Sequence, residues 1–76
     1  MNLKEVVAII AETGVKADMD NFDVDKTLEE NGIDSLDTYT ILLALEENSG
    51  VSLEELDLEK VNTANLLQAY IKEKSA

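Results

Sequence analysis

Apolar residues recur at the spacing of an α-helix in three stretches of this chain. The first stretch predicts a helix over residues 3–13, and Gly14 is well placed to end it. The second stretch predicts a helix over residues 35–48. The third predicts a helix over residues 64–74, with Thr63 as its N-cap.

The segment between the first two predicted helices, residues 15–34, is long for a loop in a chain of 76 residues. Its apolar residues Phe22, Val24 and Leu28 are spaced to hold it against a core. A short helical turn near residues 26–30 and a short third helix over residues 54–60 complete the pattern. We therefore predict an all-α fold in which residues 1–76 form a single domain. That domain is a four-helix bundle with a short third helix and a long loop between helices one and two.

The second predicted helix carries apolar residues on two opposite faces. One face has an ordinary core stripe, formed by Thr38, Ile41, Leu42 and Leu45. The opposite face has Leu36, Tyr39 and Leu43, bordered by Thr40, Glu46 and Glu47. A chain this short can hardly bury both faces, so we expect the second stripe to be exposed and to bind a partner protein. The alternative is that the long loop covers Tyr39 and Leu43.

The composition narrows the possible functions. The sequence has no Cys and no His, so it lacks disulfides, thiolate metal ligands and the commonest general base. Its formal net charge is −11, and residues 27–59 include ten acidic residues and no basic one. Such a charge repels nucleic acid and anionic membranes and favours basic protein surfaces. No apolar run is long enough to span a bilayer or to serve as a signal peptide, and we expect a cytoplasmic protein without stable membrane association.

Carboxylates in the long loop suggest a calcium site. An EF-hand loop that began at Asp18 would place Asp20 at its third position and Glu29 at its twelfth. Phe22 would then occupy a ligand position, and Asp23 would stand where the sharp turn needs Gly. We therefore predict no dedicated metal site, and a calcium-binding module is the weakest alternative.

The stretch that leads into the second helix, residues 31–37, has the sequence NGIDSLD. Gly32 suits a tight turn, and Asp34 or Ser35 can cap the helix, so the Ser35 hydroxyl is expected to be exposed at a loop-to-helix junction. A catalytic serine needs a neighbouring base, but the chain has no His and the nearest Lys, Lys26, lies in an acidic segment. We predict that the chain is not an enzyme. If Ser35 has a chemical role, it is as a hydroxyl that another enzyme modifies.

Residues 32–38, GIDSLDT, and residues 43–47, LALEE, closely resemble an acyl carrier protein. The length, the acidity and the long first loop agree with that family. The resemblance implies that the chain carries acyl groups as thioesters on a 4′-phosphopantetheine arm, between enzymes of fatty-acid, polyketide or related biosynthesis. It implies that Ser35 is the attachment site, with Asp34 and Leu36 completing the motif. It also implies that a phosphopantetheinyl transferase (holo-ACP synthase) attaches the arm from coenzyme A.

The resemblance further implies that helix two docks on basic patches of acyl-transferring and chain-modifying enzymes, and that the carrier is a monomer. The partner-binding residues expected from it are Leu36, Asp37, Tyr39, Thr40, Leu43, Glu46 and Glu47. This docking is expected to be weak and sensitive to salt.

Four positions depart from the common pattern of the family: Thr40 replaces Glu, Tyr39 replaces a smaller aliphatic residue, Asn31 replaces an apolar residue, and Ser49 replaces an aromatic one. The first two put in question a housekeeping fatty-acid role and leave a specialised pathway open. The last two predict a looser core or a shifted pocket. An aminoacyl or peptidyl carrier remains one alternative, and an unmodified acidic helical adaptor that binds basic partners remains another.

Overall fold

The computed structural model describes residues 1–14 and 18–75. Its three α-helices are α1 (Leu3–Glu12), α2 (Ser35–Ser49) and α3 (Ala64–Ser75). A short 3-10 helix, Met19–Asn21, lies in the loop between α1 and α2. Over the described residues no strand forms, and one isolated antiparallel bridge joins Thr27 to Thr63. The predicted all-α class is confirmed.

The ends of the α-helices lie within one residue of the predicted bounds because local capping groups fix them. Asn2 and Glu5 form a capping box at the start of α1, each side chain accepting a hydrogen bond from the other's backbone N–H, at 2.8 and 3.1 Å. The Thr63 hydroxyl accepts from the Leu66 N–H at 3.1 Å and caps α3, as predicted. Gly50 ends α2 with a φ of 73°, a left-handed conformation that favours glycine.

The core lies where α1 packs against both α2 and α3. Its largest fully buried side chains are Val6, Ile10, Ile41, Leu45, Leu67 and Ile71. Two of them come from each helix, and the loops add Leu28, Ile33, Val51 and Leu53. Each such side chain contributes about 1.5–3 kcal/mol when it leaves water, so the helices are held by the core more than by helix propensity.

The described part of the long loop, residues 18–34, is held by hydrogen bonds and by its apolar anchors; residues 15–17 of the predicted loop lie outside the described residues. Leu28 is buried, and its N–H donates to the Asn62 carbonyl at 2.9 Å. Phe22 and Val24 pack against the core, as predicted. The expected helical turn near residues 26–30 is present only as a hydrogen-bonded turn, in which the Asn31 N–H donates to the Thr27 carbonyl at 3.0 Å.

The predicted short third helix over residues 54–60 does not form, so the four-helix bundle is not confirmed: the described residues contain three α-helices. Two separate turns replace it. In one the Leu56 N–H donates to the Leu53 carbonyl at 3.2 Å, and in the other the Lys60 N–H donates to the Asp57 carbonyl at 3.0 Å.

The reason is local. The Asp57 carboxylate accepts from the Glu59 N–H at 3.0 Å, a bond that competes with helical pairing. Four acidic residues crowd positions 54–59, and so short a segment gains too few hydrogen bonds to repay the cost of starting a helix.

Candidate functional site

Ser35 is the first residue of α2, and its side chain is exposed. Asp34 is the N-cap: its backbone is extended, and its carboxylate accepts from the Asp37 N–H at 2.8 Å. The Asp34 carbonyl also accepts from the Thr38 hydroxyl at 2.8 Å, which ties the cap to the first turn. The predicted loop-to-helix junction is confirmed, and of the two possible caps Asp34 is the one used.

Backbone hydrogen bonds and a buried side chain fix the turn that precedes the junction. Gly32 has a φ of 86°, which L side chains rarely adopt, and its N–H donates to the Glu29 carbonyl at 2.9 Å. The next residue, Ile33, is buried, and its N–H donates to the Leu28 carbonyl at 3.0 Å. Because Ile33 is anchored in the core, the residues that follow it are directed outward to the surface.

The Asn31 side chain connects this turn to the earlier part of the loop. Its amide nitrogen donates to the carbonyls of Asp23 and Thr27 at 2.9 and 3.0 Å, with a longer contact of 3.4 Å to the Lys26 carbonyl. Its oxygen accepts from the Asp23 N–H at 2.9 Å. We call this set of contacts the Asn31 clasp. The amide satisfies backbone groups that an apolar side chain would leave open, and the looser core or shifted pocket expected from this position stays a prediction.

Beside Ser35 lies an open groove of about 730 Å³. It is lined by Thr27, Leu28, Glu29, Gly32, Ile33, Asp34, Ser35, Thr38, Tyr39, Leu58 and Asn62. The loop after α2 supplies Leu58 and Asn62, and neither was predicted from the sequence. An open groove of this size has room for a small molecule or a flexible arm lying along its surface.

The junction fits a phosphate-linked group. The first N–H groups of a helix have no acceptor within it, and here the Asp34 carboxylate takes only that of Asp37. The N–H groups of Ser35 and Leu36 precede it, at the positive end of the helix dipole, where a phosphate is favoured. The groove then offers both apolar and polar contacts to an arm that leaves the phosphate.

The second apolar stripe of α2 is exposed, as predicted. The exposed fractions are 76% for Leu36, 63% for Tyr39 and 61% for Leu43, so the alternative that the loop covers the stripe is wrong. The opposite stripe is the core face, with Ile41, Leu42 and Leu45 buried. We call Leu36, Tyr39 and Leu43 the α2 stripe.

The polar neighbours of the α2 stripe are not equivalent. Glu47 is exposed, whereas Glu46 is half-buried and its carboxylate accepts from the Leu53 N–H at 2.8 Å. The Thr40 hydroxyl donates to the Leu36 carbonyl at 3.2 Å within the helix. Glu46 therefore supports the loop after α2, a role that the sequence pattern did not reveal.

The carboxylates of the long loop serve as local acceptors. Hydrogen bonds from Asn21 and from the backbone lower the pKa of Asp18, although desolvation of its carboxylate opposes the shift. The pKa of Glu30 is also lowered, because the Thr27 backbone N–H donates to its carboxylate at 2.9 Å and the Thr27 side chain lies beside it. Over residues 1–14 and 18–75, no three potential metal-ligating side chains gather at one place.

Comparison with known proteins identifies the class to which this site belongs. The family model described as "Phosphopantetheine attachment site" matches residues 4–71, which includes α2, most of α1 and α3, and the groove. Proteins of this class bear a covalently bound 4′-phosphopantetheine, and the exposed hydroxyl, the free helix amides and the groove fit that group.

Two curated relatives narrow the class. An acyl carrier protein of Akkermansia muciniphila is 35% identical over 63 residues, which is 83% of this chain and 78% of the relative. An acyl carrier protein of Thermotoga maritima is 35% identical over 49 residues, 64% of this chain and 60% of the relative. The chain belongs to the acyl carrier protein family.

Acyl carrier proteins are carriers rather than catalysts, and they interact with a phosphopantetheinyl transferase and with biosynthetic enzymes. The chemistry that the arm supplies is a terminal thiol on which acyl groups are held as thioesters. In the part of the chain that the structure describes, no helix is both long and apolar enough to cross a membrane.

Proposed function

We propose that Ser35 is the phosphopantetheine attachment site of this carrier, with Asp34 and Leu36 as the other residues of the motif. The observation that carries the proposal is the exposed Ser35 hydroxyl at the start of α2, next to the groove. Asp34 fixes the first turn, and Leu36 extends the apolar surface beside the attachment point, where its side chain is 76% exposed.

The test is the intact mass after incubation with coenzyme A and a broad-specificity phosphopantetheinyl transferase. The expected result is the addition of one arm to the native chain and none to Ser35→Ala. Ser52→Ala is the matched control, because Ser52 is also exposed but lies in the loop after α2, and it is expected to accept one arm. Modification of Ser35→Ala, or of a different residue in the native chain, would exclude this assignment.

The α2 stripe is proposed as the surface on which partner enzymes dock. It combines three exposed apolar side chains with the exposed carboxylate of Glu47 and the half-buried one of Asp37, so it suits an apolar pocket with a basic rim. Thr40 is exposed and Glu46 is half-buried, and both side chains also make hydrogen bonds within the chain.

The proposed cargo is an acyl intermediate of fatty-acid, polyketide or related biosynthesis. Residues 1–76 are proposed to act as one monomeric acyl-carrier domain in the cytoplasm. Tyr39 lies on the rim of the groove and adds bulk beside Ser35, which supports a cargo other than that of a housekeeping fatty-acid carrier. Mass spectrometry of the acyl chain on carrier taken from its native host tests this. Aminoacyl or peptidyl thioesters in that spectrum would favour the alternative carrier type.

A further inference from the structure

The dipeptide Asn31-Gly32 is a chemically labile pair within the loop that leads to Ser35. The chain has six asparagines, and only Asn31 is followed by Gly. Because Gly32 has no Cβ, its backbone nitrogen can approach the Asn31 side chain closely. The Gly32 nitrogen then bonds to the Asn31 Cγ, and the Cγ–Nδ2 bond breaks. The Nδ2 atom leaves as ammonia with the proton lost by Gly32. Water opens the resulting cyclic imide at either carbonyl, giving aspartate or isoaspartate.

The native fold holds both reacting groups away from this step. The Gly32 N–H is directed to the Glu29 carbonyl at 2.9 Å. The amide nitrogen that must leave donates to the Asp23 and Thr27 carbonyls at 2.9 and 3.0 Å. Attack therefore requires the turn to open and the Asn31 clasp to break at the same time.

We propose that Asn31 is a latent deamidation site that the Asn31 clasp protects. Local opening of the loop exposes it, and the product then weakens the same loop. A carboxylate at position 31 has no donor hydrogens, so it places negative charge against carbonyl oxygens that the amide now satisfies. The neighbouring segment is already acidic, with Asp23, Asp25, Glu29 and Glu30 close in sequence. The modified chain consequently opens more often around the turn that positions Ser35.

The first test compares deamidation in native buffer and in guanidinium chloride at the same pH and temperature. Peptide mapping with isoaspartate detection locates the product. Asn31 is expected to react first in denaturant and at least tenfold more slowly in native buffer, a factor equal to about 1.4 kcal/mol of opening free energy. Gly32→Ala in denaturant is expected to suppress the reaction, since its Cβ hinders the approach. Equal rates at Asn31 in both conditions, or faster reaction of another asparagine in denaturant, would overturn the proposal.

The second test places the aspartate product in the chain directly. Asn31→Asp is expected to lower the melting temperature at neutral pH, and the loss is expected to shrink in acid, where the protonated carboxyl group donates again. Asn62→Asp is the matched control, because the Asn62 amide makes a single long contact of 3.5 Å to the Glu59 carbonyl. Equal losses in the two variants would contradict a specific role for the clasp. Should Asn31→Asp not fold, the rate comparison decides alone.

Discussion

Leu45 and Leu43 lie on opposite faces of α2 and provide a matched pair of substitutions. The Leu45 side chain is fully buried, whereas Leu43 is 61% exposed. Replacing either by Ala removes the same atoms from the same helix. Any difference in the free energy of unfolding therefore measures burial, and not helix propensity or side-chain chemistry.

Leu45→Ala is expected to lower the free energy of unfolding by about 3 kcal/mol, within the range of about 2–5 kcal/mol for a Leu removed from a packed core. Leu43→Ala is expected to cost less than about 1 kcal/mol, because Leu43 has little burial to lose and full burial of a Leu is worth about 1.5–3 kcal/mol. The slightly better helix propensity of Ala offsets part of that cost.

The difference is large for a chain of this size. A total stability of about 0.05–0.15 kcal/mol per residue gives about 4–11 kcal/mol for 76 residues. Leu45→Ala is therefore expected to remove a large part of the stability and to lower the melting temperature by roughly 12–24 °C, at about 4–8 °C per kcal/mol.

Urea unfolding followed by far-ultraviolet circular dichroism measures the free energy of unfolding of both variants. The slope of that free energy against urea concentration is compared between them to confirm that the unfolded states match. Equal losses in the two variants would refute the division of α2 into a core face and an exposed stripe. A larger loss in Leu43→Ala would refute it as well.

Three further predictions concern docking, pH and salt. Leu43→Ala and Glu47→Lys are each expected to raise the KM of a phosphopantetheinyl transferase for the carrier by roughly tenfold, equal to about 1.4 kcal/mol. Glu73→Lys on α3 is the control and is expected to leave this KM unchanged. An equal effect of Glu73→Lys would mean that only the net charge of the carrier matters. Hydrogen bonds from Thr27 lower the pKa of Glu30 in the folded state, so the stability it contributes is complete above its ordinary pKa and is lost as the pH falls through the lowered value. The destabilisation caused by Glu30→Gln should accordingly shrink in acid in urea titrations at several pH values, and a loss that grows in acid would contradict this. Finally, the melting temperature is expected to rise with NaCl or MgCl₂ in calorimetry, because ions screen the repulsion of a chain with a net charge of −11, and indifference to salt would count against it.

The helices could be predicted from the sequence because their signals are local. Apolar spacing and caps such as Thr63 lie within a few residues of the helix ends that they determine. The position of Ser35 followed from the same kind of signal. The expected third helix failed because residues 54–60 satisfy their backbone in two turns, a competition that apolar spacing does not reveal.

The groove and the clasp could not be predicted because distant residues form them. Asn62 lines the groove from the loop after α2. That loop is joined to the loop before α2 by the hydrogen bond from the Leu28 N–H to the Asn62 carbonyl and by the bridge between Thr27 and Thr63. The Asn31 side chain forms hydrogen bonds with Asp23, eight positions earlier in the chain. From the sequence alone, Asn31 therefore stood out only as an unusual polar residue. Both features depend on how the loops fold over the core.

The carboxylates of this chain fall into two populations with different freedom to change. Glu5, Glu46 and Asp34 accept hydrogen bonds from backbone N–H groups, so the fold needs an acceptor oxygen at each of these positions. Glu47 points to solvent, and its charge is available to other molecules. The surface charge of the carrier can therefore be redesigned separately from its fold. Amide side chains at Glu5, Glu46 and Asp34 would remove charge while keeping an acceptor oxygen, and substitutions at outward positions such as Glu47 would change the binding of partners.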